Sequence, residues 1–302
     1  MYRVSGLMMS PNQWKEIAWY GVRFKIPPDW QLGQIGIRYL LIEDESGPAM
    51  EIKWTPVKGK FSHQAHLKRL ASLQKKRVRK SIQPQSLSAE WETALSDFEA
   101  SEFSWNSDST HGRGVILFCP TCHNASLIQF FHKAPPKIDL VATNVLNSFR
   151  DHRSDDQIQW SAYDIRALVP ETFELKHYRF EAGRYELDFA DRGQHIILYR
   201  WAPASVLLSK QDLLQFARSV ANFSKTEPVA GKMNGCDTVE WSVTPASDWG
   251  RWMSRFLGKA SYYWLGIWHL EDKNRILGVR AEGKKPLDTE VLDGICSHYE
   301  SI

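Results

Sequence analysis

The stretch with the most chemistry in its spacing is Cys119-Pro-Thr-Cys122-His123. Two thiols three positions apart, followed by an imidazole, fit three roles. C-x-x-C-H is the form of c-type haem attachment, in which both thiols bond the haem and the His ligates iron. The flanks, Val115 to Phe118 and Ser126 to Phe131, read as strands and no export signal is visible, which disfavours haem. Half a zinc knuckle is the second role. Structural zinc takes four ligands in a tetrahedron, and Cys119, Cys122 and His123 supply three at most. The other two of the 4 Cys, Cys236 and Cys296, fall in a strand and a helix far along the chain, so a fourth ligand would come from a partner chain. The third role is a hairpin turn that carries two thiols and no ligand. The equivalent turn in the second half, Glu271-Asp-Lys-Asn274, holds no ligand set and favours this plainer reading.

Three other features bear on binding. Between Lys58 and Lys80 lie nine cations and no Asp or Glu: Lys58, Lys60, Lys68, Arg69, Lys75, Lys76, Arg77, Arg79 and Lys80. Such a run on a helix can track phosphates or meet an anionic protein or membrane surface, and its binding would fall steeply with salt. The plain alternative is a solvated helix face. His63 and His66 sit three apart on that helix without the intervening Glu of H-E-x-x-H, so they read as exposed histidines. Trp249, Trp252, Met253 and Phe256, at helical spacing, make an apolar face opposite Arg251, Arg255 and Lys259. That segment could seat a protein partner or lie on a membrane surface, or simply cap the second domain or pack between the domains. Walker A, G-x-G-x-x-G, G-x-S-x-G and H-E-x-x-H motifs do not occur, and the chain is expected to be non-enzymatic.

These residues must be positioned by elements, and the elements come twice. Tyr20 to Leu32 reads Tyr-Gly-Val-Arg-Phe-Lys-Ile-Pro-Pro-Asp-Trp-Gln-Leu; Tyr163 to Leu175 reads Tyr-Asp-Ile-Arg-Ala-Leu-Val-Pro-Glu-Thr-Phe-Glu-Leu. In register, Tyr20 meets Tyr163, Arg23 meets Arg166, Pro27 meets Pro170 and Leu32 meets Leu175. A leader with a weak helix around Gln13 to Ile17 precedes the first copy. Each copy then runs strand, hairpin, helix, three strands, helix. In the first, Ser62 caps a helix to about Lys80, and Ile138 to Arg150 is amphipathic. In the second, a helix begins near Ser209, and Pro286-Leu-Asp288 opens the last. The expectation is a tandem duplication of one α+β domain, an antiparallel sheet with helices packed on it, over residues 1–152 and 153–302. The division falls in Asp151-His-Arg-Ser-Asp-Asp156, polar and with nothing to bury.

The opening Phe24, Ile26, Pro27, Asp29 and Trp30, with the closing Val145, Leu146, Ser148, Phe149 and Arg150, resembles the PsbP-like superfamily. That group includes the photosystem II extrinsic subunit and Ran-GTPase-binding proteins of the same fold. The second copy departs at its end, with Ile295-Cys-Ser-His-Tyr299. These matches are core and turn signals, so the resemblance implies a fold and an accessory or binding role and carries over no catalytic residue.

Composition bounds the rest. With 302 residues, 43% hydrophobic, 24% charged and a net charge of +3, the chain suits two globular domains, and the global charge names no partner. No apolar run approaches a membrane span, and no signal-like segment stands at Met1; a cytoplasmic protein with reduced thiols is expected. The expected role is an accessory protein that holds an unknown protein partner, with anion or nucleic-acid binding as the alternative and no cofactor beyond the zinc that the Cys pair would take.

Overall fold

Tyr20 and Gly21 set the first hairpin. Both are left-handed, with φ 50° and 91°, as a two-residue turn between twisted strands requires. They join β1 (Lys15–Trp19) to β2 (Val22–Ile26). The expected helix around Gln13 to Ile17 is therefore a strand from Lys15 onward. Tyr163 repeats the left-handed backbone, with φ 56°. Val22, Phe24 and Ile26 are buried and alternate with Arg23 and Lys25, as the sequence reads.

The computed structural model describes residues 14–73, 82–107, 110–133, 139–152, 156–221, 226–244, 262–286 and 288–302. Residue contacts divide the chain into two units. The first is Met1–Asp155 with Ser161–Tyr163; the second is Asp156–Trp160 with Asp164–Ile302.

After β2 the first unit continues with β3 (Gln31–Gly36), β4 (Tyr39–Asp44), β5 (Gly47–Pro56), α1 (His63–Leu73), β6 (Gln83–Gln85), α2 (Ala89–Ala94), β7 (Glu99–Asn106), β8 (His111–Phe118), β9 (Asn124–His132) and α3 (Leu140–Ser148). Its antiparallel sheet has the order β3-β4-β5-β9-β8-β7-β6. Next come β10 (Gln157–Ala162), β11 (Ile165–Pro170), β12 (Glu174–Glu181), β13 (Arg184–Asp191), β14 (Gln194–Trp201), α4 (Ala204–Leu207), α5 (Leu213–Ala221), β15 (Val229–Met233), β16 (Cys236–Val243), β17 (Tyr262–Leu270), β18 (Arg275–Gly283), α6 (Thr289–Ser297) and β19 (Glu300–Ser301). The second unit's sheet runs β12-β13-β14-β18-β17-β16-β15, strand for strand the same order as the first.

The α+β expectation does not hold. The described residues are 53% strand and 18% helix, so the chain is mostly antiparallel sheet with few, short helices rather than sheets clad in helices. Two effects misled the sequence reading. Helices were drawn too long: the amphipathic helix expected to run to Arg150 ends at Ser148, before an extended Phe149. Strands with little apolar content were passed over. In β12, Glu-Leu-Lys-His-Tyr-Arg-Phe-Glu, Leu175 alone is buried, and pairing with β13 rather than hydrophobic alternation makes it a strand. The strands β6 and β15 escaped in the same way; β1 and β10 escaped because their buried residues run consecutively instead of alternating.

Large rings fill the interiors. Trp19 and Trp91 in the first unit, and Trp241 and Trp268 in the second, are fully buried. The second unit also carries an ionic clamp. Asp164 accepts hydrogen bonds from Arg275 Nε (2.7 Å) and from Arg200 Nε (3.0 Å) and Nη2, and Arg200 lies over the Tyr185 ring at 4.3 Å. Among the described residues, no helix is long and apolar enough to cross a membrane.

Candidate metal centre

The turn between β8 and β9 is built by backbone hydrogen bonds. The Cys119 amide donates to the Asn124 carbonyl (2.9 Å), and the His123 amide donates back to Cys119 (2.9 Å). His123 is left-handed, with φ 56°, and its carbonyl accepts from Val57 N just past β5 (2.8 Å). This geometry leaves both thiols on one side of the turn. Cys119 is fully buried and Cys122 is half-buried.

A second segment arrives from α3. Arg150 exchanges both backbone hydrogen bonds with Arg23 of β2, each 2.8 Å. That two-way bridge fixes the chain immediately before Asp151 and His152. The expectation that this polar stretch has nothing to bury is wrong for Asp151, which is 4% exposed.

The two segments meet. Cys119 Sγ lies 3.3 Å from His152 Nδ1. Cys122 Sγ lies 3.4 Å from Asp151 Oδ2 and donates to the Asp151 carbonyl at 3.6 Å. Asp151 Oδ1 and His152 Nδ1 are 3.1 Å apart. One ligand atom from each of Cys119, Cys122, Asp151 and His152 falls within 4.8 Å of every other. With zinc–ligand bonds of 2.0–2.3 Å, the corners of a tetrahedron lie roughly 3.3–3.8 Å apart. The set is thus within a small contraction of a four-coordinate S₂NO site. Among the described residues it is the one such grouping of His, Cys, Asp and Glu.

The electrostatics favour a cation. Burial pushes the Cys122 thiol up to about 12, the neighbouring Asp151 charge and Cys119 push the same way, and a hydrogen bond from Asn124 offsets this in part. Two thiols, a buried carboxyl and an imidazole share this corner. A divalent ion would reverse the balance by stabilising the thiolates.

His123, the expected third ligand, is outside the set. Its ring stacks on Phe118, with planes 4° apart and centroids at 6.1 Å. The second unit explains why a histidine there serves the turn. Asn274 occupies the corresponding place before β18, is left-handed with φ 55°, and its carbonyl accepts from Ala204 N (3.0 Å), as His123 accepts from Val57. The sequence reading missed Asp151 and His152 because the packing of α3 on β2 and the Arg23–Arg150 bridge bring them back to the turn; no local motif marks them.

The other sequence candidates fare differently. Lys68 and Arg69 are exposed on α1; Lys75, Lys76, Arg77, Arg79 and Lys80 lie outside the described residues, as do Trp249, Trp252, Met253 and Phe256. His63 faces the Glu99 carbonyl (2.9 Å) and His66 the Ser62 carbonyl (3.0 Å), so each histidine has a structural contact.

No protein-family model matches the chain, and no curated protein matches it. Two solved structures are similar over about half of it. One, from Bacteroides thetaiotaomicron VPI-5482, is 13% identical with a TM-score of 0.31; the match covers 52% of this chain and 53% of that one, so the chain spans about half of that structure's length. The other, a mutant of protein Mog1, is 8% identical with a TM-score of 0.32, covering 47% of this chain and 97% of that one.

Proposed function

We propose that the first unit is a zinc-binding module within a non-enzymatic, duplicated binding protein. The carrying observation is the convergence of Cys119, Cys122, Asp151 and His152 within 4.8 Å. Two thiolates and an imidazole select zinc over magnesium or calcium, which prefer all-oxygen sites. Four protein ligands leave no open position for a reacting water, which supports a structural role over a catalytic one. Zinc here would lock the β8–β9 turn to the chain segment that leaves α3. The duplication is part of the same reading. It is supported by the shared strand order of the two sheets, the left-handed Tyr20 and Tyr163, and the matched His123 and Asn274 turns. The PsbP-like matches from Phe24 to Arg150 suggest the parent domain, and holding a protein partner is the role that parentage suggests.

The test is elemental analysis and native mass spectrometry of the protein from its own host, followed by zinc titration of the metal-free protein. One zinc per chain is expected, with Cys119→Ser and Asp151→Asn each weakening binding at least tenfold and His123→Ala leaving it unchanged. A metal-free mass together with no saturable zinc binding would sink the proposal.

A further inference from the structure

The turn between β17 and β18 closes without sulfur. The Asn274 amide donates to the Glu271 carbonyl (3.1 Å), and Asn274 takes a φ of 55°, as His123 takes 56° between β8 and β9. Cys119 and Cys122 are therefore an addition to a turn that the backbone makes by itself. Their placement allows a second chemistry besides holding an ion. The His123 amide donates to the Cys119 carbonyl four residues back, which curls Cys119 to Cys122 into one turn of chain. Positions three apart in such a turn have Cβ atoms roughly 5–6 Å apart, and the two sulfurs already lie within 4.8 Å of each other. A disulfide takes Cβ atoms about 3.5–4.5 Å apart, so closing one asks for a contraction of roughly 1–2 Å. Cys122 is half-buried and Cys119 is fully buried. The outer sulfur meets an oxidant first, and the inner one stands behind it.

We propose that Cys119 and Cys122 form a reversible disulfide that expels the zinc, so that the centre is a redox-controlled site. This inference rests on the zinc reading above. The oxidant is a hydroperoxide. The Cys122 thiolate attacks one peroxide oxygen; the O–O bond breaks, hydroxide leaves and a sulfenic acid forms. The Cys119 thiolate then attacks the Cys122 sulfur; the S–S bond forms, the S–O bond breaks and a second hydroxide leaves. Two electrons pass from the thiolates to the peroxide, which with two protons becomes two waters. Zinc departs as the divalent ion, its oxidation state unchanged. Disulfide sulfur carries no charge to hold a cation, and Asp151 and His152 alone fill two of the four corners that structural zinc takes. A thiol reductant returns both thiolates and with them the site. Because the sulfenic acid is resolved by a sulfur in the same turn, it is diverted from the irreversible acids further up the oxidation series.

The full chain is first titrated with zinc, which tests the metal centre by itself. The zinc-loaded chain is then treated with hydrogen peroxide, with released zinc followed by a chromophoric chelator and the cysteines by peptide mass mapping. One zinc released per Cys119–Cys122 disulfide is expected, with zinc binding restored by a thiol reductant. Cys236→Ser, which removes the half-exposed thiol of the second unit, should release zinc as the parent chain does. A chain that takes up zinc but forms no Cys119–Cys122 disulfide overturns the switch and leaves the zinc site standing. So does a disulfide formed with zinc retained, zinc loss through sulfinic or sulfonic acids that the reductant does not reverse, or a response that Cys236→Ser removes. A chain that takes up no zinc overturns both.

Discussion

Among single residues, the four cysteines separate by surroundings. Cys296 is buried, and burial pushes its thiol up to about 12, with the Asp293 and Glu240 charges adding to the effect. Cys122 is held up to about 12 as well, and Cys119 is fully buried. Cys236 is half-exposed. Alkylation at pH 8 should therefore modify Cys236 first and reach Cys119 and Cys296 only on unfolding, because the thiolate is the reactive form; peptide mapping after a timed iodoacetamide pulse reads the order. The raised thiols also fix a pH dependence. In the metal-free protein the folded thiols hold their protons when those of the unfolded chain have lost theirs. Their stabilisation is present below about pH 9 and is lost as pH rises toward 12. The melting temperature should fall across that window, and less so in Cys296→Ala. Zinc binding runs oppositely at lower pH: the thiols must release protons to bind, so apparent zinc affinity should climb from pH 6 to pH 8 in a competition titration.

For the elements, caps and clamps decide stability. Asp288 caps α6 by accepting from the Glu290 and Val291 amides (3.0 and 3.3 Å), so Asp288→Ala should cost about 1 kcal/mol in a denaturant melt. Asp164→Ala should cost about 3 kcal/mol or more, because it strands Arg200, which is 6% exposed, without its carboxylate. Elements were also where the sequence was most and least legible. Cys236 to Val243 reads as a strand and is β16 to the residue, since Val239 and Trp241 are buried on an alternating pattern. The start of the last helix reads from Pro286-Leu287-Asp288, and α6 begins at Thr289. By contrast β12 and β15 bury too little for alternation to show, and β1 is defined by its pairing with β2. The thiol pair of the metal centre was legible because its spacing is local. Its carboxyl and imidazole were not, because β2 and α3 bring them in from 29 and 33 residues along the chain.

At the scale of the molecule, the strand order β3-β4-β5-β9-β8-β7-β6 recurs as β12-β13-β14-β18-β17-β16-β15, yet the copies are not equivalent in chemistry. The described ligand set belongs to the first. Zinc added to the metal-free full chain should therefore slow amide exchange in the β8–β9 turn and around Arg150 to His152, and leave β14, β17 and β18 unchanged; uniform protection across both units would contradict a local site. The reciprocal Arg23–Arg150 bridge has a mechanical consequence. Without metal, a pull on the chain beyond His152 is resisted first by two backbone hydrogen bonds, which peel one after the other. With zinc, the same pull meets a closed ring of roughly 30 residues around α3, a cross-link that in a covalent loop of that size removes about 3.5 kcal/mol of chain entropy from the unfolded state. The metal would then act as a rivet at the exit of the first unit, and the force needed to draw that exit open becomes a direct gauge of whether the ion is in place.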